Sequence, residues 1–127
     1  MSRPIAAGER LATRRTYTAA EVAAFAELTL DTGRHHVQAD PEGRVMVHGL
    51  LVAALPTQLG GELHYLAREM RFEFLRPVFT GDTIEAELVV LRADPAPDRF
   101  DVELEVVCRN QAGKEVLRGA SRGIIRR

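Results

Sequence analysis

Leu50 to Leu55 reads LLVAAL, and this run constrains the fold more than any other part of the chain. As a helix it has apolar groups on every side and no polar stripe, so it has to be surrounded by protein. The rest of the chain must therefore supply elements that wrap round it. Pro56 follows directly and removes a backbone donor, so the spacing predicts a kink or an end there. Gly60-Gly61 closes the segment. With 127 residues there is enough chain for one core, and residues 1–127 are expected to form a single domain.

The flanking stretches suit this role. TYTAAEVAAFAELTL, from Thr16 to Leu30, carries a capping-box pattern in Thr18 and Glu21 ahead of strong helix formers. A helix is expected from about Ala19 to Leu30, stopping near Gly33, where a left-handed residue is cheap. Residues 31 to 47 contain Gly33, Asp40-Pro41 and Gly43, which predict an irregular connection with a turn around Asp40 to Gly43. After Tyr65 the period becomes two. Met70 to Phe74, Thr83 to Leu91 and Phe100 to Cys108 alternate as strands, the last with Phe100, Val102, Leu104, Val106 and Cys108 on one face. Pro77 with Gly81-Asp82, then Asp94 to Asp98, then Asn110 to Gly113 supply turns, and Lys114 to Arg127 is a weaker fourth strand. A central helix followed by consecutive antiparallel strands is an α+β domain.

Composition excludes several partners. Seventeen basic and eighteen acidic residues leave a net charge of -1, with no basic patch for nucleic acid or an anionic membrane. Cys108 is the only cysteine, so neither an intrachain disulfide nor a multi-thiolate metal site is expected, which suits the cytoplasm. The start, MSRPIAAGER, lacks the apolar core of a signal peptide, and no run approaches the ~18 residues of a membrane span.

Polar chemistry gathers just before the apolar helix. Asp31 and His36 would lie about 140° apart on a regular helix, so they converge only if the backbone between them is irregular, which Gly33 permits. A carboxylate and an imidazole brought together hold one water and move its proton at neutral pH. The alternative is that Asp31 caps a helix end or a turn and His36 is an exposed loop residue. His35 beside His36 invites a metal reading, but adjacent histidines do not converge easily and no thiolate or HExxH pattern supports them. His48-Gly49 opens the apolar helix, and the free N–H of Gly49 could hold an oxygen that becomes negative during reaction. Equally, Gly49 could be needed only for close packing. Thr57 either bonds back to a carbonyl near Pro56 or faces a substrate. Tyr17, His64 and Tyr65 are read as structural.

Four features in order, the helix YTAAEVAAFAELT, the Asp31/His36 pair, VHGLL at Val47 to Leu51 and FEFLRPVFTGDTI at Phe72 to Ile84, resemble the MaoC-like (R)-specific enoyl-CoA hydratases and 3-hydroxyacyl thioester dehydratases of the hot-dog fold. The similarity runs over roughly residues 10 to 125. It implies a central helix wrapped by a curved antiparallel sheet, a homodimer paired through its sheets, and a site near the dimer interface. The implied substrate is a trans-2-enoyl thioester of coenzyme A or acyl carrier protein, with no cofactor or metal. By position, Asp31 and His36 match the pair that activates water. Gly49 matches the glycine whose N–H polarises the thioester carbonyl, and Thr57 falls where the family often has a serine. The family pattern Asp-x-Asn-Pro-x-His is altered to Gly33-Arg34 in its middle, and the connection from His36 to His48 is shorter than usual.

Three functions compete. The first is a hydro-lyase that converts the enoyl thioester to the (R)-3-hydroxyacyl thioester or back. The second is a hot-dog acyl-CoA thioesterase, in which water attacks the carbonyl. The third is a non-catalytic or partner-dependent subunit of a dehydratase, including a heterodimer in which another chain supplies the acyl pocket. Both Asp31 and His36 are present, which favours the first.

Overall fold

The computed structural model describes residues 4–127, so the first three residues of MSRPIAAGER lie outside it. The order is β1 (Arg10–Thr16), α1 (Ala19–Thr29), α2 (Arg34–Val37), α3 (Gly49–Glu62), β2 (Tyr65–Phe74), β3 (Thr83–Pro95), β4 (Arg99–Arg109) and β5 (Glu115–Arg126). The strands form one antiparallel sheet in the order β1-β3-β4-β5-β2. Helix α3 packs against this sheet, touching β1, β2 and β3. This is the α+β arrangement of a central helix backed by an antiparallel sheet.

The alternation read in β4 is what fixes the sheet's inner face. Val102, Leu104, Val106 and Cys108 are buried together with Ile84, Ala86, Leu88 and Val90 of β3 and with Val52, Leu55 and Leu59 of α3. Burial pushes the Cys108 thiol up to about 12, so at neutral pH it behaves as a small apolar side chain.

Several boundaries differ from expectation. The first strand, RLATRRT, has no clean apolar alternation and was not expected; it is an edge strand beside β3. Its charges are met across the ladder, Arg10 by Glu87 at 3.2 Å and Arg14 by Glu85 at 3.3 Å, and Thr16 Oγ1 bonds Thr83 Oγ1 at 2.7 Å. Such cross-strand pairs add to the packing of Leu11 against the core in holding this edge.

Helix α1 starts with the complete capping box on Thr18 and Glu21, but it ends at Thr29. The left-handed residue is Leu30 (φ 63), not Gly33. Asp31 is thereby delivered directly after the turn. Inside the 31–47 connection one short helical turn, α2, carries His36.

Helix α3 runs through Pro56 and both glycines to Glu62. An interior proline costs about 3 kcal/mol. Leu55, Pro56 and Leu59 are all buried, and burial at ~1.5–3 kcal/mol per large apolar side chain offsets that loss. The helix is not enclosed on every side within one chain, however. Ala54, Thr57, Gln58 and Gly61 are exposed, and Leu50 keeps 65% of its surface. The sheet covers one side of α3 and leaves this stripe bare.

Candidate active site

The site is built where the end of α1, the turn α2 and the start of α3 meet. Met46 and Val47 lead into α3 and are pinned on the side of Val78 and Phe79, by the Met46–Phe79 bridge and the bond from Val47 N–H to the Val78 carbonyl at 2.7 Å. On the other side the Met46 N–H donates to the His35 carbonyl at 2.9 Å, which ties α2 to this strap. The Met46 carbonyl is therefore a fixed acceptor. His36 Nδ1–H donates to it at 2.7 Å, which places the ring's lone pair on Nε2.

Nε2 of His36 faces Asp31 Oδ2 at 3.9 Å. The other carboxylate oxygen, Oδ1, accepts from the Gly33 N–H at 3.2 Å. One oxygen of Asp31 closes a local turn and the other points at the imidazole, and His36 is buried, not the exposed loop residue of the alternative reading. A separation of 3.9 Å is too long for a direct hydrogen bond. It suits a water that donates one hydrogen to each acceptor at ~2.8 Å. His36 is buried while the Asp31 side chain is 56% exposed, so this water would be reached from solvent.

Gly33 acts differently from what its position suggested. Its φ is -50, which any residue adopts. What it lacks is bulk: a Cβ there would lie 3.2 Å from the His35 ring and 3.4 Å from Asp31 Oδ1. With Gly33-Arg34 in place of the family's Asn-Pro, the Asp31 and His36 side chains still converge.

His48 completes the cluster, and sequence reasoning missed it. Its Nε2–H donates to the Asp31 main-chain carbonyl at 3.0 Å. Its ring stacks on His36, with centroids 3.7 Å apart and planes within 15°, and Phe25 of α1 meets it edge-on at 4.9 Å. Its Nδ1 is buried with no partner among the described residues. An unpaired buried acceptor costs about 1–3 kcal/mol. The one signal in the sequence was a histidine at the mouth of an apolar helix; nothing in its spacing pointed to Asp31 or His36.

Donor atoms of Asp31, His36 and His48 lie within 4.8 Å of one another. They do not make a good metal site. His36 Nδ1 and His48 Nε2 already donate to carbonyls, and the two free nitrogens lie in stacked, nearly parallel rings, so their lone pairs do not converge on one point at the ~2.0 Å a metal ion requires. His35, the other half of the adjacent pair, is exposed and tilted against His36 at 3.9 Å between centroids.

Gly49 opens α3, and no acceptor for its N–H is found among the described residues. Its packing role is equally plain, since a Cβ would lie 2.8 Å from Cε1 of Phe74. Thr57 bonds back to the Ala54 carbonyl at 2.5 Å, as one of its two readings required. It also borders an apolar cavity of about 170 Å³ between α3 and the sheet, with Pro56, Gly60, Met70 and Phe72. Because its hydroxyl already has a partner in the helix, Thr57→Ala is expected to change the rate of any reaction at this site by less than about tenfold, which initial rates of the variant check.

Tyr17 is structural: its hydroxyl donates to the Leu51 carbonyl at 3.3 Å, and burial raises its pKa. Tyr65 lines the cavity. Its hydroxyl is 2.7 Å from Ser121 Oγ, which in turn donates to the Glu69 carbonyl at 2.7 Å.

No protein-family model matches the chain. Among curated proteins, the (R)-specific enoyl-CoA hydratase of Aeromonas caviae is 36% identical over 102 residues, covering 68% of this chain and 73% of that protein. The solved (R)-hydratase from A. caviae involved in PHA biosynthesis superposes with a TM-score of 0.80 at 28% identity, over 96% of this chain and 98% of that one. The unliganded R-hydratase PhaJ1 of Pseudomonas aeruginosa gives 0.83 at 24% identity, over 96% and 82%. A sequence match of that extent, on a fold shared almost end to end, means that this chain belongs to the MaoC-like (R)-specific enoyl-CoA hydratase family of hot-dog proteins.

Proposed function

We propose that the protein is a hydro-lyase that adds water reversibly across the double bond of a trans-2-enoyl thioester, carried on coenzyme A or acyl carrier protein, to give the (R)-3-hydroxyacyl thioester. The observation that carries this reading is the 3.9 Å gap between Asp31 Oδ2 and His36 Nε2, with His36 locked by its Nδ1–H on Met46. A water held by both acceptors loses a proton to the pair as its oxygen attacks the β-carbon, and a proton returns to the α-carbon. The Gly49 N–H, at the positive end of α3, stabilises the enolate-like oxygen between these two steps. The reaction uses only the elements of water, and the dehydration follows the same path backwards. The apolar cavity beside α3 takes the acyl tail, with Thr57 at its edge.

The protomer pairs with a second copy in this reading. Strand β2 is an edge of the sheet, and its Leu66, Met70 and Phe74 are about half exposed. Pairing through that edge would cover them. A different hot-dog chain in the same place is the alternative. No helix among the described residues is long and apolar enough to cross a membrane; we place the protein in the cytoplasm, in keeping with its free Cys108.

The test is the absorbance of the conjugated thioester when purified protein meets crotonyl-CoA. Loss of the enoyl band without release of free thiol is the expected result, together with a dimeric mass in solution. Thiol release instead would make the protein a thioesterase. A folded dimer inert towards enoyl thioesters of several lengths on either carrier would overturn the hydratase reading.

A further inference from the structure

His48 sits in the core at a cost. It gains one hydrogen bond, through Nε2–H, yet its Nδ1 is buried with no partner among the described residues, at 2% exposure of the residue. An apolar side chain of similar size would fill the same space without stranding a polar atom. What only a donor-bearing aromatic ring supplies here is contact with both members of the water-holding pair: a hydrogen bond to the Asp31 main chain and a flat surface for His36.

We propose that His48 is a positioning residue for the Asp31/His36 pair, fixing the main chain that carries the carboxylate and the plane of the imidazole whose Nε2 faces it. Leu30 is left-handed and the Asp31 side chain is largely in solvent, so the bond from His48 to the Asp31 carbonyl is what ties this turn to the buried strap before α3. Met46 holds one edge of the His36 ring and His48 holds one face. With these restraints the 3.9 Å separation is set before substrate arrives. The inference rests on the hydratase reading of the same site.

Three variants test it. His48→Leu removes donor and ring, His48→Gln keeps a donor, and His48→Phe keeps a ring. Thermal melting, kcat and KM on crotonyl-CoA, and ¹⁵N spectra of the His36 imidazole are measured for each. In His48→Leu, melting close to wild type, KM within about threefold and kcat lower by ~100-fold are expected. His48→Gln and His48→Phe should each recover part of kcat. In the wild type, His36 should show a protonated Nδ1 and a bare Nε2, as the Met46 carbonyl dictates, and in His48→Leu these signals should shift and broaden as the ring loses its stacked face. Unchanged kcat and unchanged His36 signals in folded His48→Leu would overturn the proposal. So would a loss of kcat that simply follows a loss of stability in all three variants. If the wild type does not hydrate enoyl thioesters, the hydratase reading fails on its own, and the His36 spectra still decide whether His48 holds that ring.

Discussion

Asp31→Asn and His36→Ala are each expected to lower the hydration rate by about 10²–10⁴-fold while leaving a folded protein. The two substitutions remove different things. An asparagine retains an oxygen to accept from the Gly33 N–H, so the turn that Asp31 closes through Oδ1 survives. It loses the negative charge and basicity on the oxygen that faces Nε2, and with them one of the two acceptors that strip a proton from water. Asp31 is exposed, so this change should leave the melting temperature near that of wild type. His36→Ala is more invasive, because the bond to Met46 and the stack on His48 both go; a stability loss of about 1–3 kcal/mol should accompany the loss of rate. Initial rates of enoyl-band loss, measured beside thermal melts, separate the two effects. Near-normal rates in folded Asp31→Asn would remove the carboxylate from the mechanism.

The parts legible in the sequence were those whose causes are local. Thr18 and Glu21 marked the start of α1 because a capping box involves only four neighbouring residues. The alternation from Phe100 to Cys108 marked β4 because Val102, Leu104, Val106 and Cys108 on one face of that strand are core. Strand β1 was hidden because its stabilising partners, Glu85 and Glu87, lie some seventy residues away and its own pattern is charged. The passage of α3 through Pro56 was hidden for a similar reason, since core packing and not local propensity decides it. Asp31 and His36 were recognised by residue type and order; their convergence depends on Leu30 taking a left-handed turn, which a leucine does not advertise. His48 left no trace in any spacing, because its role is defined by a stack and a carbonyl that exist only once α1, α2 and α3 have met.

Gly123→Ala is expected to destabilise the fold by about 3 kcal/mol or more. Gly123 lies in β5 opposite Ala67 of β2 and opposite Val102 of β4, beside the bulge that shifts the β2 register between Ala67 and Glu69. A Cβ at this position would lie 2.1 Å from the Leu66 carbonyl oxygen and 2.9 Å from the Ala67 Cα. Both are main-chain atoms, so relief requires the two strands to part, and no side chain can simply rotate away. Gly49 differs in this respect, because the atom met there belongs to the half-exposed Phe74 ring, which has room to move. Parting β2 from β5 would loosen the strand that carries Phe74 against the start of α3 and the edge proposed to pair with a second chain. Denaturant unfolding of Gly123→Ala should therefore show a lower midpoint, and sedimentation should show dissociation at concentrations where the wild type stays paired. A midpoint and mass indistinguishable from wild type would mean that β2 is not held against β5 in the observed register.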